Sequence, residues 1–179
     1  MSGKRAAVLT AYAFVASAFL GWAEPSAAEN YPANDPRAVV ALLASQIRTF
    51  PSWADASFRQ KLGPYLTDEL ISAIETGLAT AQKDEINLYD AELFTGIQGL
   101  SCVKFIDAKI LRSGEDKATV AATIAYDGDV PRTAKCSQRM TINFELKHLG
   151  SAWKIDDVQN AERKPSIKAI FLDPRKYGS

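Results

Sequence analysis

Arg139-Met140-Thr141-Ile142-Asn143-Phe144-Glu145-Leu146-Lys147 decides the fold, because apolar and polar side chains alternate along it without a break. A period of two belongs to a strand with one buried face and one wet face. Met140, Ile142, Phe144 and Leu146 define the inner face, and Arg139, Thr141, Asn143, Glu145 and Lys147 the outer one. Upstream, residues 117–126 repeat the period. Ala118, Val120, Ala122, Ile124 and Tyr126 fall on one side, Lys117, Thr119 and Thr123 on the other. Residues 113–116 and 149–151 have the composition of hairpin turns, and a last strand spans 152–158, so the sheet is antiparallel.

The preceding strand, 103–111, does not hold its phase. Val103 and Phe105 point one way, whereas Ile106, Ala108 and Ile110 point the other. A bulge produces such a slip, and a bulged sheet bends. Its concavity needs a filling, which two amphipathic helices supply. The first covers 35–50, with Asp35 as N-cap, Pro36 at the first helical position, and Val39, Val40, Leu43, Ile47 and Phe50 at helical spacing before Pro51. A short amphipathic stretch around 53–62 follows, carrying the aromatics Trp53 and Phe58, with Tyr65 just beyond. The second main helix starts at Thr67, where Asp68 and Glu69 complement the positive helix end, buries Leu70, Ile71, Ile74 and Leu78, and fades near Lys83. Residues 86–101 read as a long loop.

The N-terminus reads as a secretory signal. Lys4 and Arg5 precede an apolar run, and small residues lead to a scissile bond after Ala28. The run is shorter than the ~20 apolar residues of a spanning helix, so cleavage is favoured over a retained anchor. The organisation expected is a signal peptide (1–28), a polar leader (29–34), one domain (35–160) and a C-terminal tail (161–179). In the tail, Pro165 opens a short solvated helix bearing Ile167, Ile170 and Phe171, and basic residues follow. The location is periplasmic or secreted. No stable membrane anchor is expected after processing.

The whole chain balances 21 basic against 21 acidic residues, and loss of Lys4, Arg5 and Glu24 leaves it at −1. A balance so close to zero gives no broad field for nucleic acid, so no nucleic-acid partner is expected. The chain has two cysteines, and in an oxidising compartment Cys102 and Cys136 should pair. Strands separated by a third lie roughly 9.6 Å apart, beyond the ~7 Å that a disulfide spans between α-carbons, so the cysteines belong at loop edges where the chain folds back. No C-x-x-C pair and a single histidine leave no metal site to expect.

Helices first, then a long loop, then a curved antiparallel sheet closing on Trp153-Lys154-Ile155-Asp156-Asp157 resembles the NTF2-like, cystatin-like superfamily. Within it, the Pro-led helix from Asp35, the Leu66-Thr67-Asp68-Glu69-Leu70 segment and the polar-aromatic loop Tyr89 to Gln98 resemble the DUF3828-type group of small exported bacterial proteins. Gln98 is followed by Gly99 where that group's pattern calls for an acid. The resemblance implies an α+β fold with N-terminal helices packed in the concave face of a curved antiparallel sheet. It also implies a cone-shaped cavity between the two, and it carries no established activity.

Residues expected to line such a cone are Tyr126, Ile142, Phe144, Trp153, Ile155 and Asp157, a set suited to a small amphipathic ligand or a peptide end. Strand parity places Asp157 with Trp153 and Ile155, where it is the weak candidate for a catalytic carboxylate. A structural hydrogen bond is the blander role for it. His148, on the inner parity, packs at a hairpin. Neither a Gly-x-Ser-x-Gly elbow nor a phosphate loop occurs. The reading is a non-catalytic exported binding module without a cofactor, its small-molecule or protein partner unnamed, and with a homodimer through the sheet as an option. An envelope inhibitor or toxin-immunity protein is one alternative, and a cofactor-free isomerase or dehydratase using a cavity carboxylate is another.

Overall fold

The structure, a computed structural model, describes residues 31–47, 55, 57–86, 88, 94–95, 102–127, 136–160 and 165–178. Residues 1–30, which hold the expected signal and most of the expected leader, together with Phe50, Trp53 and nearly all of residues 89–98, lie outside the described residues.

Helix α1 is Pro36–Gln46. Asp35 caps it, accepting from the Arg37 amide at 2.8 Å and holding the Arg37 guanidinium as an ion pair. Val40, Leu43, Ala44 and Ile47 are buried. They press onto β1, β2 and β4, so α1 lies across the sheet as the apolar stripe requires. The short α2, Phe58–Leu62, buries Phe58 and Leu62. Thr67 then caps α3, Asp68–Lys83, by accepting from the Leu70 amide at 3.1 Å.

Strands β1 (Val103–Ser113), β2 (Lys117–Tyr126), β3 (Gln138–Leu149) and β4 (Ala152–Asn160) form one antiparallel sheet in the order β1-β2-β3-β4. Alternation in β2 and β3 is as the sequence implies, with Val120, Ala122, Ile124, Ile142 and Phe144 at 0% exposure. The phase slip in β1 is a bulge between Phe105 and Asp107, and a second lies between Ile110 and Arg112. The β3–β4 turn is tighter than 149–151: Leu149 pairs with Ala152, and Gly150 takes a φ of +66° that a residue without a Cβ adopts freely.

Beyond β4 the sheet edge is closed by a short piece of chain. The Ile155 amide donates to the Tyr65 carbonyl and the Thr67 amide to the Ile155 carbonyl, both at 2.8 Å, which makes Leu66 a one-residue parallel bridge. The α3 cap is thereby bolted to β4.

Cys102 and Cys136 are bonded, their α-carbons 5.7 Å apart. Cys102 precedes β1 and Cys136 precedes β3, so the bridge passes over the end of β2. There the Asp127 carboxylate accepts from the Cys102 amide at 2.7 Å. This is the loop-edge placement that strand spacing demands.

The tail differs from a solvated helix. Helix α4, Ile167–Leu172, is capped by Ser166 and followed by α5, Pro174–Tyr177. Phe171 is only 3% exposed and joins the main core. It reaches the core because α3 carries Gly77 at the contact, and the α4 backbone rests where a Cβ would otherwise project.

Candidate binding site

The helix-covered face of the sheet, where the cone residues are expected, is the first place to examine. Ile142, Phe144 and Ile155 share that face with no exposure, and the Phe94 ring lies 6.1 Å from Phe144 between centroids. These three are brought together. Tyr126 and Trp153 are not: Tyr126 pairs with Gln138 and Trp153 with His148. Ten residues of β3 separate those partners, roughly 33 Å at strand rise, so the two aromatics occupy opposite ends of the face rather than one pocket. Trp153 stacks on His148 at 4.8 Å and donates from Nε1 to the Asn34 carbonyl at 2.9 Å, closing the rim beside the start of α1.

Asp157 is a correction. Simple alternation places it beside Ile155, but the β3–β4 register slips between Glu145 and Leu146, leaving Asp156 as the extra residue. Ile155 and Val158 therefore both face the core, while Asp157 sits opposite the outward Glu145. Its Oδ1 accepts from the amides of Val158 at 2.8 Å and Lys168 at 2.9 Å. A carboxylate so employed anchors the first turn of α4, and it lies on the wrong side of the sheet to act as a base in the concavity. One bulge, which two adjacent aspartates hide in the sequence, makes the difference.

The same bulge builds a charged cluster. Asp156 accepts from Thr67 Oγ1 at 2.8 Å and pairs with Lys168 at 3.0 Å and Lys147 at 3.3 Å, and both lysines also reach Glu69. Burial pushes the Asp156 carboxyl up, but Lys168, Thr67 and Lys147 together outweigh it and hold it below the ordinary 3.8. Hydrogen bonds from Lys147 and then Lys168 lower Glu69 in the same way. A depressed carboxylate stabilises the fold above its unfolded value, and that contribution is lost as pH falls through the folded value. The parent should therefore lose stability below about pH 4. Asp156→Asn should cost about 1 kcal/mol at neutral pH and flatten the acid limb of the stability curve. Urea melts from pH 7 to pH 3 check this, and parallel curves for parent and variant would refute it.

A second concavity was not legible in the sequence. Helices α3, α4 and α5 enclose a groove of about 650 Å³ lined by Ala73, Thr76, Lys168, Phe171, Leu172 and Arg175 among others. Its only sequence signal is Gly77 within an otherwise regular helix, a position that announces close approach by another segment. The groove's cations are committed, Lys168 to Asp156 and Glu69, and Arg175 to Asp84 at 2.7 Å. Among the described residues, no cluster of three or more histidine, cysteine or acidic side chains could hold a metal ion.

The architecture is that of an α+β domain with an open four-stranded antiparallel sheet, helices packed against it and one disulfide. No family model matches the chain, and no curated protein matches it. Among solved structures it is similar to the phospholipid-binding protein from Ralstonia solanacearum, determined with a phospholipid bound. Identity is 11% over 81% of this chain and 76% of that one, with a TM-score of 0.30. No helix among the described residues is long and apolar enough to cross a membrane.

Proposed function

We propose that the protein is an exported, non-catalytic binding module of the NTF2-like kind, which shelters a small amphipathic ligand or a peptide segment against the concave face of its sheet. The observation that carries this reading is the floor. Val120, Ala122, Ile124, Ile142, Phe144 and Ile155 form an unbroken apolar surface, and Phe94 covers its centre from the stretch between α3 and β1. A ligand would be taken up by replacing that cover, with α1 staying in place. The disulfide supports export, since such bonds persist in oxidising compartments.

The site is narrower than the six residues read from the sequence. Ile142, Phe144 and Ile155 line it, Tyr126 and Trp153 stand at its distant rims, and Asp157 lies outside. Phe144 cannot serve as a clean probe, because truncating it removes core. Ala122→Leu instead fills the floor, at an overpacking cost of about 1–3 kcal/mol because Ala122 is fully buried, so a urea melt first establishes that the variant is folded. The exported form, purified from its native envelope, should release an amphipathic molecule on organic extraction, and Ala122→Leu should cut its occupancy roughly tenfold, equivalent to about 1.4 kcal/mol. If nothing is released by the parent, or if a folded Ala122→Leu protein carries as much as the parent does, the concave face is only a core.

A further inference from the structure

The C-terminal segment is seated on the domain much as a ligand sits on a receptor. Helix α4 packs on α3 and β4, and α5 on α3. Two side chains one helical turn apart make the contact. Lys168 donates from Nζ to Asp156 at 3.0 Å and to Glu69 at 3.3 Å, while its amide donates to Asp157 at 2.9 Å. Phe171, 3% exposed, enters the cleft that Gly77 opens in α3. Farther along, Arg175 reaches Asp84.

The seat is only partly filled. Beside α4 and α5, α3 keeps open the groove of about 650 Å³ bordered by Ser72, Thr76 and Thr80, and Leu172 stands at its edge 67% exposed. Helix α4 has six residues, well short of the ~12–15 at which a helix begins to hold by itself. Its ion pairs have wet partners, Glu69 on one and Arg175 on the other, so each contributes little. A segment held in this way opens locally, ahead of the domain as a whole.

With the tail lifted, Glu69, Asp156 and Asp157 would share Lys147 as their one cation within ion-pair distance among the described residues. Lys117 and Lys154 lie in the same cross-strand row as Lys147, but neither reaches these acids, and Lys154 donates to the Gly63 carbonyl at 3.2 Å. Arg59 is held by Glu75, and the Glu145 opposite Asp157 has Arg112. The selection is therefore short-range: three carboxylates placed for one incoming ammonium, beside a cleft cut for one ring.

We infer that this seat on α3 and β4 is a recognition site for a short helix of another polypeptide, one presenting a lysine and, three residues on, an aromatic ring, and that the chain's own tail blocks it until displaced. The tail names the occupant, because it shows which side chains the seat accepts and at what spacing. The open groove beside it is where a longer helix gains contacts that α4 and α5 leave unmade.

The test uses the oxidised full chain and a labelled peptide of residues 165–178 as probe, followed by fluorescence anisotropy. Lys168→Glu with Phe171→Asp should leave the tail undocked and let the probe bind roughly tenfold or more tightly than to the parent, whose tethered tail competes at high effective concentration. Adding Gly77→Ala to that variant should weaken the probe by a similar factor, and a probe carrying Lys168→Glu should not bind. In the parent, the Lys168 and Ile170 amides should exchange hydrogen roughly a hundredfold faster than β2 and β3 amides, a measurement that needs no variant. Exchange at Lys168 and Ile170 as slow as in β2 and β3, or a folded undocked variant that binds the probe no better than the parent, overturns the proposal. A dimer of the parent that Phe171→Asp abolishes overturns it in favour of a second copy's tail. Release of a molecule from the helix-covered face of the sheet is a separate readout, unaffected by failure here.

Discussion

Replacing Cys102 and Cys136 by serine should destabilise the protein by about 3–4 kcal/mol, the largest loss expected from any change short of emptying the core. The bridge joins positions 34 residues apart and thereby restrains a long stretch of the unfolded chain. It also holds the starts of β1 and β3 on either side of the β2 end, where Asp127 receives the Cys102 amide. Without it that corner of the sheet is left to strand pairing and the single hydrogen bond from the residue 102 amide to the Asp127 carboxylate. For a domain of this size the loss corresponds to a fall of roughly 10 °C in Tm. Urea melts of the oxidised protein and of the double-serine variant should show the midpoint shift, and thiol titration of the folded parent should find no free sulfhydryl. Equal midpoints would mean that the restraint acts on a chain already held by other means.

Gly77→Ala should lower stability by about 2 kcal/mol, against the usual direction for a helix. In a helix interior alanine normally gains about 1 kcal/mol over glycine through reduced backbone entropy. In α3 the added methyl would meet the Phe171 carbonyl oxygen and lie 2.8 Å from its Cα and 2.9 Å from its Cβ. The obstacle is backbone, which has no rotamer to escape into. Overpacking of this kind costs more than propensity returns. Helix α4 must then lift, taking Phe171 out of the core and Lys168 away from Asp156 and Asp157. Trypsin should cut after Lys168 and Arg175 faster in the variant, and Tm should fall by several degrees. A variant as stable as the parent would show that α4 can shift along α3 at little cost.

Most of the fold could be read from local pattern. Period-two alternation located β2 and β3 because a strand with one wet face must alternate, and Asp35 and Thr67 are caps that the first turns of α1 and α3 require. The β1 slip was visible because it shifts apolar residues, and apolar residues carry the signal. In β4 the corresponding slip falls on Asp156 and Asp157, two identical polar residues whose exchange leaves no trace in hydropathy. That is why alternation alone places Asp157 on the inner face and the register does not. The candidate site was legible only as a face. Ile142, Phe144 and Ile155 do converge, but strand length rather than pattern separates Tyr126 from Trp153. The packing of α4 was hidden because it depends on a glycine in one helix meeting a backbone distant in sequence.

The Tyr65 to Thr67 segment, small as it is, limits how these molecules can join. An open sheet usually offers two margins, and growth into filaments needs both, since each arriving copy must leave a free one behind. Here the β4 margin is occupied by the chain's own bridge to Ile155, and among the described strands only β1 stays unpaired on one side. At the β1 margin the two bulges, and the Tyr31 hydroxyl that receives the Ala108 amide at 3.4 Å, break up the ladder that an arriving copy would need, so growth by strand addition is opposed on both sides.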